Sequence, residues 1–254
     1  MPSKKQQLVW IRRQKIIYEH IPHMSCLQEY GQVREVLGNG SSGTVFLVCE
    51  EGCVAIKIQV LVTEKHMNAF TAEIENQRRF APYAPQVLNA CTEKVGQRKF
   101  GIIIMELLKT DGELDKYLEP KRSPDELHNV ITGITEALAF AMQQRITHGD
   151  LALFNIAQKA DGTWIFIDFD RSSTTVFAPH VDYLRLVTEL YDIYRSTPTK
   201  EMHEDNIKYL LKHAVPVWFS LYDYQGTSNI KHIARRWEVA YEKYCIAAKV
   251  KCLE

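Results

Sequence analysis

The sequence lacks several features that would assign it to a special class of protein. No apolar run reaches the roughly 20 residues that a transmembrane helix needs, and residues 100–108 have the length of a core strand. Lysine plus arginine and aspartate plus glutamate both total 31, so the overall charge does not favour a nucleic-acid binder. Internal repeats and low-complexity linkers are also missing. These absences predict a soluble globular domain that does not enter a membrane.

The six cysteines lack a C-x-x-C pair, and no secretory signal precedes them. This usage predicts reduced thiols in a cytoplasmic or nuclear compartment, because disulfides persist mainly where conditions are oxidising. Cys49 and Cys53 flank an apparent turn at residues 50–52. The position beside a turn favours a role as strand residues for these two cysteines over a role as metal ligands.

The pattern of apolar residues predicts strands in the first part of the chain. Residues 32–58 are typical of a three-stranded antiparallel meander with a glycine-rich first hairpin. Residues 64–80 are helical in composition, and residues 86–92 and 100–107 are typical of two further strands. The first part therefore predicts five strands and one helix, with the first three strands antiparallel.

Beyond residue 112 the apolar residues change to helical spacing. Ser123, Pro124 and Glu126 form a capping box that opens a long helix down to Arg145. Further helices are predicted at residues 114–118, 181–195, 201–214 and 229–249. Strands followed by helices indicate an α+β fold with two lobes. We predict a single domain, 1–254, with an extension at 1–27, an N-lobe at 28–107 and a C-lobe at 108–254.

Basic residues concentrate near both ends of the chain. Residues 4–20 predict a basic amphipathic helix that packs on the domain or, alternatively, contacts a membrane surface or nucleic acid. The predicted C-terminal helix carries four basic residues, Lys231, Arg235, Arg236 and Lys243. A solvated helix face is favoured there, and nucleic-acid binding stays open as an alternative.

The stretch from His148 to Asp170 carries the clearest chemical signal. A loop holds Asp150 and Asn155, and a buried strand follows and ends on Asp168. Unpaired buried carboxylates are costly, whereas carboxylate and amide oxygens suit Mg²⁺ together with substrate phosphates. The alternative is a surface turn whose acids cap neighbouring backbone.

A glycine-rich segment lies between two predicted strands and has the pattern G-x-G-x-x-G-x-V, with Gly38, Gly40, Gly43 and Val45. A dinucleotide-binding unit needs a helix after the glycines, so the context disfavours it. A Walker A site is excluded, because no Lys-Ser or Lys-Thr follows the last glycine. The pattern favours a flexible hairpin whose backbone N–H groups approach phosphates.

The next strand contains V-A-I-K, in which the lysine is Lys57. Its ammonium either snorkels to the surface or is held by a carboxylate of the following helix and aimed at phosphate oxygens. Glu73 fits that role because it lies beside the apolar Ile74, and Glu75 is the second choice.

Taken in order, the glycine-rich pattern, V-A-I-K, the helix glutamate, H-x-D-L-x-x-x-N and D-F-x resemble the protein-kinase-like superfamily. These motifs span Gly38 to Asp168. The resemblance implies a bilobal fold, with a five-stranded antiparallel N-lobe and a reduced, mainly helical C-lobe. It also implies ATP and Mg²⁺ as cofactors, because such enzymes work by positioning and charge neutralisation.

The resemblance further implies roles for individual residues. The catalytic residues would be Lys57, Asp150, Asn155 and Asp168, with Asp150 as the base and with Asn155 and Asp168 as the Mg²⁺ ligands. The residues against ATP would be Gly38, Asn39, Gly40, Ser41, Gly43, Val45, Ala55, Lys57, Glu73, Met105, Glu106 and Leu108. Met105 resembles the gatekeeper, and residues 106–108 resemble the hinge that meets adenine. Asp182 resembles the acid that braces the catalytic loop, or it is an acid that favours the start of a helix.

Four departures from the family pattern narrow the prediction. Gly149 stands in place of the usual arginine, and Ala152 stands in place of a lysine. Asp170 replaces the glycine of D-F-G, and the segment up to Asp182 is short and lacks A-P-E. A phosphorylation switch and a peptide-docking platform are therefore not expected. The H-G-D and I-D-F-D forms resemble RIO-type kinases, small kinases associated with tRNA modification, and aminoglycoside or choline phosphotransferases.

We predict an atypical serine/threonine protein kinase that transfers the ATP γ-phosphate to a hydroxyl of a protein substrate. The glycine-rich and V-A-I-K motifs favour it over a small-molecule kinase, and the C-terminal half lacks the obvious acidic cluster that a cationic aminoglycoside would need. A nucleotide-binding pseudokinase scaffold ranks last, because the phosphate and metal machinery is present. Its members are Lys57, Glu73, Asp150, Asn155 and Asp168.

Overall fold

The computed structural model describes residues 4–40, 42–108, 112–175, 178–195 and 203–223. The chain divides into two compact units, the first with residues 1–109 and 168–172, the second with residues 110–167 and 173–254. The division lies close to the predicted lobe boundary after residue 107, and the N-terminal extension belongs to the first unit. The helix predicted at 229–249 lies outside the described residues.

The first unit contains a five-stranded antiparallel sheet in the order β1-β2-β3-β5-β4. Its strands are β1 (Gln32–Asn39), β2 (Thr44–Cys49), β3 (Cys53–Val60), β4 (Val87–Val95) and β5 (Arg98–Glu106). The central strands are rich in valine and isoleucine, which pack well on a pleated surface. The predicted antiparallel five-stranded sheet is confirmed.

Helices cover both faces of this sheet. Successive strand residues point to opposite faces, so Ile102 packs on one side and Ile103 on the other. Helix α1 (Lys4–His20) covers the first face through Ile17, which is completely buried. Helix α2 (Glu64–Arg79) covers the second face through the buried Phe70 and Ile74. The basic N-terminal helix is therefore part of the core of this unit.

The second unit is mainly helical. Its elements are α3 (Leu114–Tyr117), α4 (Pro124–Gln144), a two-stranded sheet of β6 (Ile156–Gln158) and β7 (Trp164–Phe166), α5 (Pro179–Arg195) and α6 (Glu204–Asp223). Helix α4 begins with the predicted capping box between Ser123 and Glu126. Helix α6 continues past the predicted end at 214, across Pro216, because its apolar face continues to the fully buried Trp218. The α+β prediction is confirmed.

Four cysteines of the first unit form two disulfides, Cys26–Cys91 and Cys49–Cys53. The prediction of reduced thiols is wrong for these four residues. Cys49 and Cys53 lie directly opposite each other in the register of β2 and β3, and their Cα atoms are 4.2 Å apart. Spacing along the chain does not reveal pairs that strand register and packing bring together. None of the described helices has the length and hydropathy needed to cross a membrane.

Candidate active site

Lys57 lies in the middle of β3 and is buried. Its Nζ donates to Glu73 Oε1 at 2.5 Å and to Asp168 Oδ1 at 2.6 Å. A buried ammonium needs such partners, because an uncompensated buried charge is strongly destabilising. Burial lowers the pKa of Lys57, but the charges of Glu73 and Asp168 outweigh it and raise the pKa above its usual value. The ammonium is therefore held inside the unit as a cation and does not snorkel to the surface.

The partner of Lys57 is fixed by the buried stripe of α2. Glu73 belongs to that stripe and is 3% exposed, whereas Glu75 points to solvent. Gln59 on β3 donates its amide to Glu73 Oε2 at 2.5 Å, so both carboxylate oxygens are occupied. The structure thus pairs Lys57 with Glu73 and leaves Glu75 outside the group.

Asp168, Phe169 and Asp170 complete this group in the first unit. Asp168 has a φ of 63°, a left-handed conformation that few residues other than glycine adopt. Phe169 is buried, and its ring lies 5.3 Å from the ring of Phe80 at the end of α2. Burial raises the pKa of Asp170, and the neighbouring Asp168 raises it further. Phe169 therefore anchors a segment that presents two acids close to each other.

The glycine-rich hairpin joins β1 and β2. The Gly40 N–H donates to the Gly43 carbonyl at 2.9 Å and closes the turn. A Cβ on Gly43 would lie 2.5 Å from the Ile58 carbonyl oxygen, so the close approach of β3 requires glycine there. Ser41, one of the residues predicted against ATP, lies outside the described residues.

The hairpin is tied to α1, which the sequence did not indicate. Asn39 accepts a 2.6 Å hydrogen bond from the Thr44 hydroxyl and donates its amide to Gln14 Oε1 at 2.9 Å. Because Ile17 anchors α1 in the core, Gln14 gives the hairpin a fixed point of attachment.

The residues predicted to meet adenine lie on the α2 face or at the end of β5. Ala55 pairs with Met105 across β3 and β5, and Val45 pairs with Lys57 across β2 and β3. Glu106 ends β5. Its N–H donates to the Gln86 carbonyl, and its carboxylate accepts a hydrogen bond from the Gln86 N–H. Leu108 follows the strand and is half-buried, and Gly38 has open space around it.

Asp150 and Asn155 lie in a loop of the second unit that closes on itself. The Asn155 amide nitrogen donates to the Asp150 carbonyl at 2.8 Å, and the Ile167 N–H donates to the Asn155 carbonyl at 2.9 Å. His148 is buried, and its Nε2 lies 2.9 Å from the Ile167 carbonyl oxygen. These bonds use the nitrogen of the Asn155 amide, so its oxygen is the atom suited to ligate a cation.

Asp182 holds the start of this loop. Its two carboxylate oxygens accept the N–H groups of His148 and Gly149, each at 2.7 Å. Gly149 has a φ of 81°, which glycine adopts without steric cost, and this explains a glycine at this position. Burial raises the pKa of Asp182, opposed by His148. Asp182 also lies in the first turn of α5, so both interpretations from the sequence describe it.

Two further residues of α5 contact the same loop and were missed by sequence reasoning. Arg185 Nη2 lies 2.9 Å from Asp150 Oδ1, and Glu189 accepts the Leu153 N–H at 2.8 Å. Together with Asp182 they follow the spacing i, i+3, i+7, which places all three on one face of a helix. The sequence signal that could have identified Arg185 and Glu189 is this spacing of charged residues within an otherwise apolar helix.

Each unit by itself contains oxygen donors of the chemical type that Mg²⁺ takes. Asp168 and Asp170 lie close to each other in the first unit, and Asn155 offers an amide oxygen in the second. Mg²⁺ is usually bound by one or two carboxylates together with substrate phosphates and waters. Among the described residues, no group of three or more histidine, cysteine, aspartate or glutamate side chains is arranged to hold a metal ion.

Comparison with known proteins identifies the fold. A family model described as protein kinase domain matches residues 31–191, from the start of β1 into α5. The matched range contains the Lys57 group, the glycine-rich hairpin and the loop at 148–155. No curated protein matches the chain. Because the match covers more than half of the 254 residues and agrees with the motifs, the chain belongs to the protein kinase domain family.

Proposed function

We propose that the chain is an ATP- and Mg²⁺-dependent phosphotransferase that transfers the γ-phosphate to a hydroxyl, as an atypical serine/threonine protein kinase. The observation that carries this proposal is the buried Lys57 between Glu73 and Asp168. A cation desolvated between two carboxylates has a fixed position, and phosphoryl transfer depends mainly on positioning and on neutralising charge.

In this proposal the first unit binds ATP. Lys57 contacts the α- and β-phosphates, and the N–H groups of the hairpin from Gly38 to Gly43 cover them. Ala55, Val45 and Met105 contact adenine, and the backbone of residues 106–108 gives it hydrogen bonds. Glu73 and Gln59 keep the ammonium from turning away from the phosphates.

The second unit acts on the acceptor. Asp150 accepts the proton of the attacking hydroxyl, and Asp182 fixes the backbone that carries it. Asn155 binds the Asp150 carbonyl through its amide nitrogen and offers its oxygen to the metal, with Asp168 as the other ligand. Mg²⁺, when bound, supplies positive charge that neutralises the phosphates. The whole of 1–254 is proposed as one kinase-like domain.

A small-molecule kinase with a cationic acceptor is the second candidate. Burial raises the pKa of Glu189 on α5, and the carboxylates of Asp115 and Asp150 raise it further. Three acids from α3, the loop and α5 therefore lie near one another in the second unit. The sequence does not reveal this group, because its members come from distant segments. An amino alcohol is the acceptor that such a group of acids would favour.

Incubation with labelled ATP and Mg²⁺ tests the proposal. Transfer to a generic protein acceptor that Asp150→Asn reduces by roughly 10²- to 10⁴-fold supports the protein kinase. Turnover that needs an added amino alcohol supports the second candidate. Nucleotide binding with no turnover under either condition contradicts both and leaves a pseudokinase scaffold. Lys212→Met, at an exposed position on α6, is the matched control.

The proposed location is the cytoplasm or the nucleus, and fractionation of cells that produce the chain tests it. Disulfides persist mainly in oxidising compartments, and the first unit contains two of them. Recovery of the chain in the secretory fraction would therefore contradict this location.

A further inference from the structure

The loop at residues 148–155, which holds Asp150 and Asn155, contains no lysine or arginine. Between His148 and Asn155 the charged side chain is Asp150, and the position two residues later is the apolar Ala152. A carboxylate that receives a proton beside a polyanionic substrate needs positive charge near it, because two like charges repel each other. In this chain that charge does not come from the loop.

Helix α5 supplies a cation at this point. The guanidinium of Arg185 lies 2.9 Å from Asp150 Oδ1, and the Arg185 side chain is 45% exposed whereas that of Asp150 is 15% exposed. The guanidinium of Arg185 is therefore paired with the Asp150 carboxylate, while nearly half of the Arg185 side chain is exposed to solvent.

The position of Arg185 is fixed by its neighbours on the helix. Asp182, one turn earlier, holds the N–H groups of His148 and Gly149, and Glu189, one turn later, holds the N–H of Leu153. Arg185 lies between these two anchors on the same face of α5. The backbone on both sides of Asp150 is thus fastened to the helix that carries its ion-pair partner.

We propose that Arg185 is a positioning residue of the transfer reaction, which holds the Asp150 carboxylate in the orientation that receives the hydroxyl proton. The inference rests on the proposed function. The guanidinium and the carboxylate form an ion pair, and a positive charge fixed 2.9 Å from one carboxylate oxygen favours a single orientation of that carboxylate. An ammonium on a flexible stem holds such a position less well. Arg185 acts through Asp150 and needs no contact with ATP.

Arg185→Met, Arg185→Lys and the control Lys212→Met test this role by steady-state kinetics with MgATP and a protein acceptor. Arg185→Met should lower kcat by about 10²-fold, because a small misplacement of a reacting group has that effect. Its KM for ATP should stay within about twofold, since the loss concerns the transfer step alone. Arg185→Lys should recover part of kcat, and Lys212→Met should match the wild type.

A double-mutant cycle separates positioning from a general structural effect. If Arg185 acts through Asp150, then adding Arg185→Met to Asp150→Asn should cause little further loss. Fully additive losses would overturn the proposal. An active wild type whose Arg185→Met variant keeps the same kcat, or exceeds it, would also overturn it. A wild type as inactive as Asp150→Asn would instead overturn the proposed function and this inference with it.

Discussion

Gln14 on helix α1 accepts a 2.9 Å hydrogen bond from the side chain of Asn39 in the glycine-rich hairpin. The hairpin is therefore supported by a segment that precedes the matched kinase domain at residues 31–191. In the proposed function this hairpin covers the phosphates, and it loses less conformational entropy on binding when it is already held in place.

Removing this support should weaken ATP binding. Gln14→Ala should raise the KM for ATP by about two- to tenfold, the equivalent of one net hydrogen bond, with kcat nearly unchanged. Lys15→Ala is the control, because Lys15 is 78% exposed and its ion pair with Glu19 lies at the surface. Equal KM values for the two variants would show that α1 does not support the hairpin.

Lys57→Met should abolish transfer and also weaken the fold. The substitution leaves Glu73 buried without its cation, and loss of one partner from a buried pair costs about 3–5 kcal/mol. Replacing both residues, as Lys57→Met with Glu73→Leu, should restore much of the free energy of unfolding but no activity. Urea unfolding measures the first effect, and the labelled-ATP assay measures the second. Transfer by either variant would contradict the role of Lys57.

Ile17→Ala should destabilise the first unit by about 2–5 kcal/mol, because it opens a cavity in the core. Ile17 is completely buried against the sheet, whereas Ile11 on the same helix is 60% exposed. Ile11→Ala is therefore the matched control and should change the free energy of unfolding by less than about 0.5 kcal/mol. Similar effects of the two substitutions would mean that α1 is not part of the core.

The capping box of α4 should make stability depend on pH at the acid end. The backbone N–H of Ser123 lowers the pKa of Glu126 below its usual 4.5. A carboxyl with a lowered folded-state pKa stabilises the fold above its unfolded-state pKa, and this contribution is lost as pH falls through the folded-state value. The difference in melting temperature between wild type and Glu126→Gln should therefore shrink from about pH 6 to pH 3. A difference that is independent of pH would contradict the prediction.

Local pattern carried much of the prediction. The alternation of apolar residues marked the five strands, and the capping box marked the start of α4 at Pro124. The order of the kinase motifs led to the Lys57 group and to the loop with Asp150 and Asn155. Each of these signals lies within a few neighbouring residues, where period and side-chain type are enough.

Two of the missed features join distant segments. Cys26 and Cys91 are 65 residues apart, and Arg185 contacts Asp150 from another element. A single sequence contains no distance between such positions, so the pairing of cysteines and the choice of an ion-pair partner stay undetermined.

The sequence by itself determined the family, the order of strands and helices, and the residues of the kinase motifs, because these follow from local periodicity and motif order. The tertiary structure alone decided that Glu73 and not Glu75 holds Lys57, that α1 is core, and that α5 supplies the cation beside Asp150. Those choices depend on which faces are buried together, and burial is a property of the packed chain.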